Sequence, residues 1–148
     1  MAEALLNVLG RGRFQAFSAG SMPSGRVNPF AIEMAKTIGY ETENVRSKSW
    51  DEFATPDAPK MDIVITVCDN AANEVCPIWP TRNGHAPAIA HWGFPDPSMT
   101  VGSDDDKRNA FQKVFHAIRA HIQLLVNLPP ENRERQALAK ELERIHAR

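Results

Sequence analysis

The sequence predicts a single α/β domain built on a mostly parallel sheet, and three observations lead to this fold class. Segments of strand character alternate with segments of helical periodicity, as in parallel sheets that are covered by helices. Residues Met61–Val67 (MDIVITV) are β-branched and nearly continuously apolar, which is typical of a strand buried on both faces. The length of 148 residues suits one domain with a substantial core.

Two further strands are predicted, one on each side of Met61–Val67 in the chain. Phe14–Phe17 (FQAF) runs into a turn rich in serine, proline and glycine, and Ala88–Trp92 precedes a proline-rich loop. Ligands of open parallel sheets bind beyond the carboxyl ends of the strands. Cys68 and Asp96 follow two of these strands, so both are candidates for a site at that edge.

Helical segments are predicted from apolar periodicity together with start and stop residues. Glycines end the first two helices, a proline opens the second, and an acidic first turn opens the longest one. In chain order the helices are Met1–Leu9, Pro29–Ile38, a short turn capped by Ser49, a long helix from Ser103 that ends before Pro129, and an amphipathic C-terminal helix in residues 131–148, about Glu131 to His146.

Composition and charge exclude several classes of function. The formal net charge is −1 and the basic residues are scattered, so no nucleic-acid partner is expected. No apolar run has the length of a membrane helix, and the first residues do not form a secretory signal. We therefore expect a cytoplasmic protein with no membrane partner.

The two cysteines form a candidate redox pair. Seven residues separate Cys68 from Cys76, a spacing unlike that of zinc pairs, so neither a metal nor a cofactor is expected. Cys68 follows a strand and precedes a short polar segment that we expect to be helical; a helix N-terminus favours the thiolate. Cys76 lies on the same segment and can resolve a disulfide if the sulfurs approach. The alternative is two unrelated free thiols, since free cysteine is most often a small buried apolar residue.

Asp96 lies between Pro95 and Pro97, which favour an extended backbone. A carboxyl group held there over a pocket can protonate a leaving oxygen. The alternative is an aspartate that simply marks a turn. The sequence pattern leaves both interpretations open.

Several short motifs occur in an order that is more specific than any one of them. They are Ser18-Ala19-Gly20-Ser21, Val27-Asn28-Pro29, Ser47-Lys48-Ser49, Ile65-Thr66-Val67-Cys68-Asp69-Asn70-Ala71, Cys76-Pro77 and His91-Trp92-Gly93-Phe94-Pro95-Asp96-Pro97. This order resembles the arsenate reductases built on the low-molecular-weight protein tyrosine phosphatase fold, and the resemblance extends from Met1 to about Leu128. It implies a three-layer domain in which helices flank a parallel sheet.

The resemblance also implies arsenate reduction through a cysteine relay. In that family an N-terminal cysteine in a C-x5-R loop attacks arsenate. A second cysteine, matched here by Cys68, attacks the adduct and releases arsenite, and a third, matched by Cys76, takes over the disulfide. Thioredoxin then reduces the Cys68–Cys76 bond, and Asp96 matches the general acid of the family. Arsenate is thus the implied substrate and thioredoxin the implied partner.

One part of the family pattern has no match in the printed sequence. In the family the C-x5-R loop, which follows a central strand, precedes a stretch that Met1-Ala2-Glu3-Ala4 resembles. We therefore expect an N-terminally truncated domain over residues 1–148 without the first central strand, inactive as printed. The simplest explanation is an internal methionine taken as the start.

Two other functions remain open at this point. A low-molecular-weight protein tyrosine phosphatase shares the fold and the Asp-Pro loop, but usually carries an aromatic residue after Asp-Pro, where this chain has Ser98. A non-catalytic descendant that binds an anion or a partner protein accounts for the lost nucleophile, but not for both Cys68 and Cys76.

Overall fold

The computed structural model of the protein describes residues 1–68, 74–129 and 134–148. Within these ranges the protein has four helices, two strands and two short 3-10 turns. Two helices come first, then both strands, then two helices, so the described elements do not show the strict alternation that the sequence predicts. The elements are α1 (Ala2–Leu9), α2 (Pro29–Thr37), β1 (Ile63–Thr66), β2 (Ala88–His91), α3 (Asp104–Val126) and α4 (Arg135–Ala147), and the 3-10 turns are Trp50–Phe53 and Pro97–Met99.

The two strands run parallel, which confirms the predicted type of sheet. Their register places Ile63 opposite Ala88 and Thr66 opposite His91. Beyond β2, the N–H of Trp92 donates to the carbonyl of Thr66 at 2.8 Å, so the ladder continues past the strand end. Both strands are shorter than predicted: β1 covers Ile63–Thr66 of the predicted Met61–Val67, and β2 ends at His91, one residue before Trp92.

The two faces of the sheet differ in burial. Ala88 and Ala90 are buried and pack against α4, whereas Ile89 on the opposite face is 55% exposed. All residues of β1 are only half-buried. The prediction that Met61–Val67 is buried on both faces is therefore wrong, because within the described part of the chain β1 has a single neighbouring strand, β2.

Helices flank this small sheet and supply most of the core. Helix α3 packs against α1, α2 and α4, and α4 packs against β2. The predicted apolar face of α3 is buried, and Leu5 of α1 and Leu142 of α4 are fully buried in the same cluster. The buried residues of α3 are Phe111, Val114, Phe115, Ile118, Ile122, Leu125 and Val126.

The ends of the helices follow the predicted start and stop residues. The side chain of Ser103 accepts from the N–H of Asp106, whose carboxylate accepts in return from the N–H of Ser103, a reciprocal capping box. Gly39 adopts φ +75° after α2, where glycine carries no side-chain penalty. Helix α4 begins at Arg135, later than predicted, and residues 130–133 lie outside the described part of the chain.

The predicted strand Phe14–Phe17 is wrong: these residues are not assigned to a strand. The side-chain amide of Asn7 takes the place of a neighbouring strand. Its Nδ2 donates to the carbonyl of Ala16 at 3.0 Å, and its Oδ1 accepts from the N–H of Ala16 at 2.9 Å. Because both backbone groups of Ala16 have partners, the segment is stable without a ladder.

Candidate functional site

The carboxyl ends of β1 and β2 form the edge at which the sequence predicts a site. The N–H of Phe94 donates to the carbonyl of Val67 at 3.0 Å. Val67 directly precedes Cys68, and Phe94 lies two residues before Asp96. This hydrogen bond therefore places Cys68 and the Asp96 loop at the same edge of the sheet, as predicted.

Cys68 is a free thiol, half-buried just beyond β1. The segment after it that we expected to be helical, Asp69 to Val75, falls mostly on residues 69–73, which lie outside the described residues. The site at Cys68 is thus defined by the strand before it and by the loop beside it.

Cys76 is also a half-buried free thiol, and it lies on a surface segment. Two apolar neighbours point outward, Val75 at 96% and Ile78 at 94% exposure. The segment is then fixed by Trp79, which is buried and packs edge-on against Trp50 with ring centroids 6.2 Å apart. The segment therefore has exposed apolar side chains near Cys76 and is anchored by the buried Trp79.

Asp96 is exposed and caps the 3-10 turn Pro97–Met99. Its Oδ1 accepts from the N–H of Ser98 at 2.9 Å and from the hydroxyl of Ser98 at 2.6 Å. The aspartate therefore does mark a turn, as one of the two interpretations holds. The same bonds fix the direction of the carboxylate, a precondition for a catalytic acid.

The motif Ser47-Lys48-Ser49 serves as a helix entry. Ser49 Oγ accepts from the N–H of Asp51 at 3.2 Å and caps the turn Trp50–Phe53. The neighbouring Arg46 forms two hydrogen bonds with Glu52, at 2.8 and 2.6 Å. These bonds lower the pKa of Glu52 and raise the pKa of Arg46. This guanidinium is therefore already neutralised by a carboxylate.

A C-x5-R spacing, not noted among the motifs above, runs from Cys76 to Arg82. Pro77 and Pro80 lie within it and lack the N–H groups that such a loop uses to hold an anion. The guanidinium of Arg82 instead reaches Asp62 at 3.3 Å and the carbonyl of Lys60 at 3.3 Å. These residues precede β1, at the opposite edge of the sheet from Cys68. The spacing therefore does not build a phosphate-type loop.

Residues 1–68, 74–129 and 134–148 contain no group of three or more histidine, cysteine, aspartate or glutamate side chains arranged to hold a metal ion. Within the same ranges, no helix combines the length and apolar character needed to cross a membrane.

Fold and site together define an α/β domain with a free thiol and an acidic turn at the carboxyl edge of its parallel strands. The family model described as low molecular weight phosphotyrosine protein phosphatase matches residues 1–144. The chain therefore belongs to the low molecular weight phosphotyrosine protein phosphatase family.

Curated relatives in this comparison are named arsenate reductases. The protein of Halalkalibacterium halodurans is 34% identical over 109 residues, covering 74% of this chain and 72% of the relative. That of Bacillus subtilis is 32% identical, covering 77% of this chain and 76% of the relative. Arsenate reductase 2 of Staphylococcus haemolyticus is 32% identical, covering 83% of this chain and 82% of the relative.

Proposed function

We propose that this chain carries the relay thiols of an arsenate reductase, with Cys68 and Cys76 as the redox pair and Asp96 as the general acid. The main support is the position of Cys68, a half-buried free thiol beside the Asp96 loop, in a chain similar to proteins named arsenate reductase.

The chemistry of two thiols matches the change that arsenate undergoes. Reducing As(V) in arsenate to As(III) in arsenite takes two electrons, and the oxidation of two thiols to one disulfide supplies two electrons and two protons. The 148 residues contain two cysteines, Cys68 and Cys76, which can supply these electrons by forming one disulfide within the chain. The family pattern also uses a third thiol, which attacks arsenate, and the 148 residues contain no counterpart of it.

A protein reductant suits the surroundings of Cys76 better than a small thiol does. Val75 and Ile78 lie on either side of Cys76 in the chain, and both side chains are exposed. Exposed apolar groups at a surface thiol favour contact with another protein surface. We propose thioredoxin as that partner, and the cytoplasm, where thiols are kept reduced, as the compartment.

The proposal is tested by mapping the disulfide. The purified chain is treated with one equivalent of a mild oxidant, alkylated, digested and analysed by mass spectrometry. We expect an intramolecular Cys68–Cys76 bond, which thioredoxin with its reductase and NADPH then reduces. Cys76→Ser is the matched control, because it retains Cys68 but has no partner within the chain.

Two results would overturn the relay. One is alkylation of both thiols after oxidant treatment, and the other is a disulfide that links only separate chains. An intramolecular bond that thioredoxin leaves intact, while glutathione reduces it, would reject the proposed partner but retain the thiol pair.

A second candidate, a tyrosine phosphatase, is favoured by the description of the matching family model. The residue after Asp96-Pro97 argues against it, because Ser98 stands where the phosphatases usually carry an aromatic side chain. A phosphatase also has no use for a Cys68–Cys76 disulfide. If oxidation produces no such bond, the phosphatase becomes the better interpretation of the fold.

A further inference from the structure

Two histidines meet where the two C-terminal helices pack together. His121 of α3 and His146 of α4 approach with His146 Nδ1 3.4 Å from His121 Nε2. We propose that His121 and His146 form a two-nitrogen binding site for a divalent transition-metal ion, with Zn²⁺ as the ion that fits best. Neither residue belongs to the thiol site, and the proposal does not depend on the proposed function.

The tautomer of His121 is fixed by a main-chain contact. Its Nδ1 lies 3.0 Å from the carbonyl of Ala117, which can only accept a hydrogen bond. Nδ1 therefore carries the hydrogen, and the lone pair of Nε2 points at His146. Metal-binding histidines characteristically donate their second ring N–H to such an acceptor, which fixes the ring and makes the free nitrogen a better ligand.

The separation of the two nitrogens fits a shared metal ion. A separation of 3.4 Å is long for a hydrogen bond, since N–H donors usually lie about 2.7–3.2 Å from their acceptors. Two Zn–N bonds of about 2.0–2.1 Å at a tetrahedral angle place the nitrogens roughly 3.3–3.4 Å apart. The separation of the two nitrogens thus matches that of two ligands of one tetrahedral ion.

Aromatic neighbours hold both rings in place. Phe94 packs edge-on against His121 at 4.8 Å and against His146 at 6.4 Å between ring centroids. Trp92 packs against His121 at 5.2 Å and bonds to the carbonyl of Leu142, one helical turn before His146. A site whose ligands are held by packing loses little conformational entropy on binding.

The remaining metal positions are open to water, because His146 is exposed. The ion requires His146 to carry its hydrogen on Nε2 rather than Nδ1, a tautomeric shift that releases no proton from a neutral ring. A bound ion would link α3 to α4 only in the folded chain.

The test is a calorimetric titration of the intact chain with Zn²⁺, with Cys68 and Cys76 alkylated so that thiols do not contribute. We expect one ion per chain. His146→Gln should weaken binding by about tenfold or more, since even partners that only support a ligand cost 10–100-fold. His116→Gln is the matched control, because His116 is an exposed histidine of α3 that makes its ring contact with Phe115.

The site is overturned if His146→Gln binds Zn²⁺ as the unmodified sequence does, or if His116→Gln weakens binding equally. His121→Gln is a second variant for the same titration. His121 is half-buried, so this substitution also disturbs packing. His146 is exposed, so that variant keeps the test decisive. The melting temperature offers an independent readout: Zn²⁺ should raise it for the unmodified chain and for His116→Gln, but not for His146→Gln.

Discussion

The indole N–H of Trp92 donates a 2.9 Å hydrogen bond to the main-chain carbonyl of Leu142, and both side chains are almost completely buried. The bond joins the residue after β2 to the middle of α4. It therefore fixes the last helix against the sheet at the end where the candidate sites lie.

Trp92→Phe should destabilise the fold, because it removes the donor of this bond and leaves part of the indole volume empty. We expect a loss of roughly 2 kcal/mol in the free energy of unfolding, measured by urea denaturation. Trp79→Phe is the matched control, since no acceptor among the described residues reaches the buried N–H of Trp79. The loss in the free energy of unfolding should be clearly smaller for Trp79→Phe than for Trp92→Phe. Equal losses would mean that packing rather than the hydrogen bond dominates at Trp92.

Asn7→Ala should release the segment around Ala16. The variant loses both hydrogen bonds to the backbone of Ala16, which we expect to cost about 1–2 kcal/mol. Hydrogen exchange at the Ala16 amide is the direct measurement and should become fast. Asn7→Asp keeps the oxygen that accepts from this amide, so its exchange should stay slow; slow exchange in Asn7→Ala would contradict the assignment.

Acid should loosen the start of α3 through Asp106. Hydrogen bonds from the backbone and side chain of Ser103 lower the pKa of Asp106 below its ordinary value of 3.8. A lowered pKa means that the stabilisation is present above the unfolded value and is lost as the pH falls through the folded value. We expect the protection of the Ser103 and Asp106 amides, that is, their exchange relative to an unstructured chain at the same pH, to decrease in that range.

Asp106→Asn keeps an acceptor for the N–H of Ser103 but no longer titrates. The protection of the amides at its helix start should therefore depend much less on pH below the ordinary pKa of Asp106. Asp104→Asn removes the same charge from the same helical turn and leaves the capping box intact. If both variants lose the pH dependence, the general charge of the helix start is responsible rather than the box.

The 148-residue chain alone should form the disulfide without turning over arsenate. The family pattern uses three thiols, and this sequence contains two. Arsenate-dependent NADPH consumption with thioredoxin and its reductase should stay at background, as should hydrolysis of an aryl phosphate. Measurable turnover of either substrate would show that Cys68 or Cys76 can act as nucleophile.

The companion experiment uses a longer chain, in which a strand and a C-x5-R loop of the family pattern are added before Met1. We expect arsenate reduction to appear in that longer chain and to be lost with Cys68→Ser. Phosphatase activity without arsenate reduction would support the second candidate function instead.

Local patterns predicted the helices well, because their determinants lie within a few residues of one another. Ser103 and its acidic first turn place the start of α3, and Gly39 places the end of α2, both as the sequence predicts. The parallel direction of β1 and β2 also brought Cys68 and the Asp96 loop to one edge, as expected from the chain order.

Longer-range contacts were not predictable from such patterns. The strand character of Phe14–Phe17 was not realised, because the amide of Asn7 reaches Ala16 from α1. The engagement of Asp96 by Ser98 depends on the geometry of one turn, and the residue types do not reveal it. The meeting of His121 and His146 depends on how α3 and α4 pack, which periodicity within each helix does not specify.

The small side chains on the covered face of β2 have a consequence for every site in the C-terminal half. Ala88 and Ala90 are buried where α4 packs on the sheet, so two methyl groups set how near the helix comes. A bulkier residue at either position would push α4 away from the sheet and change its tilt. The displacement would also move His146. The small size of Ala88 and Ala90 therefore determines how closely His146 can approach His121.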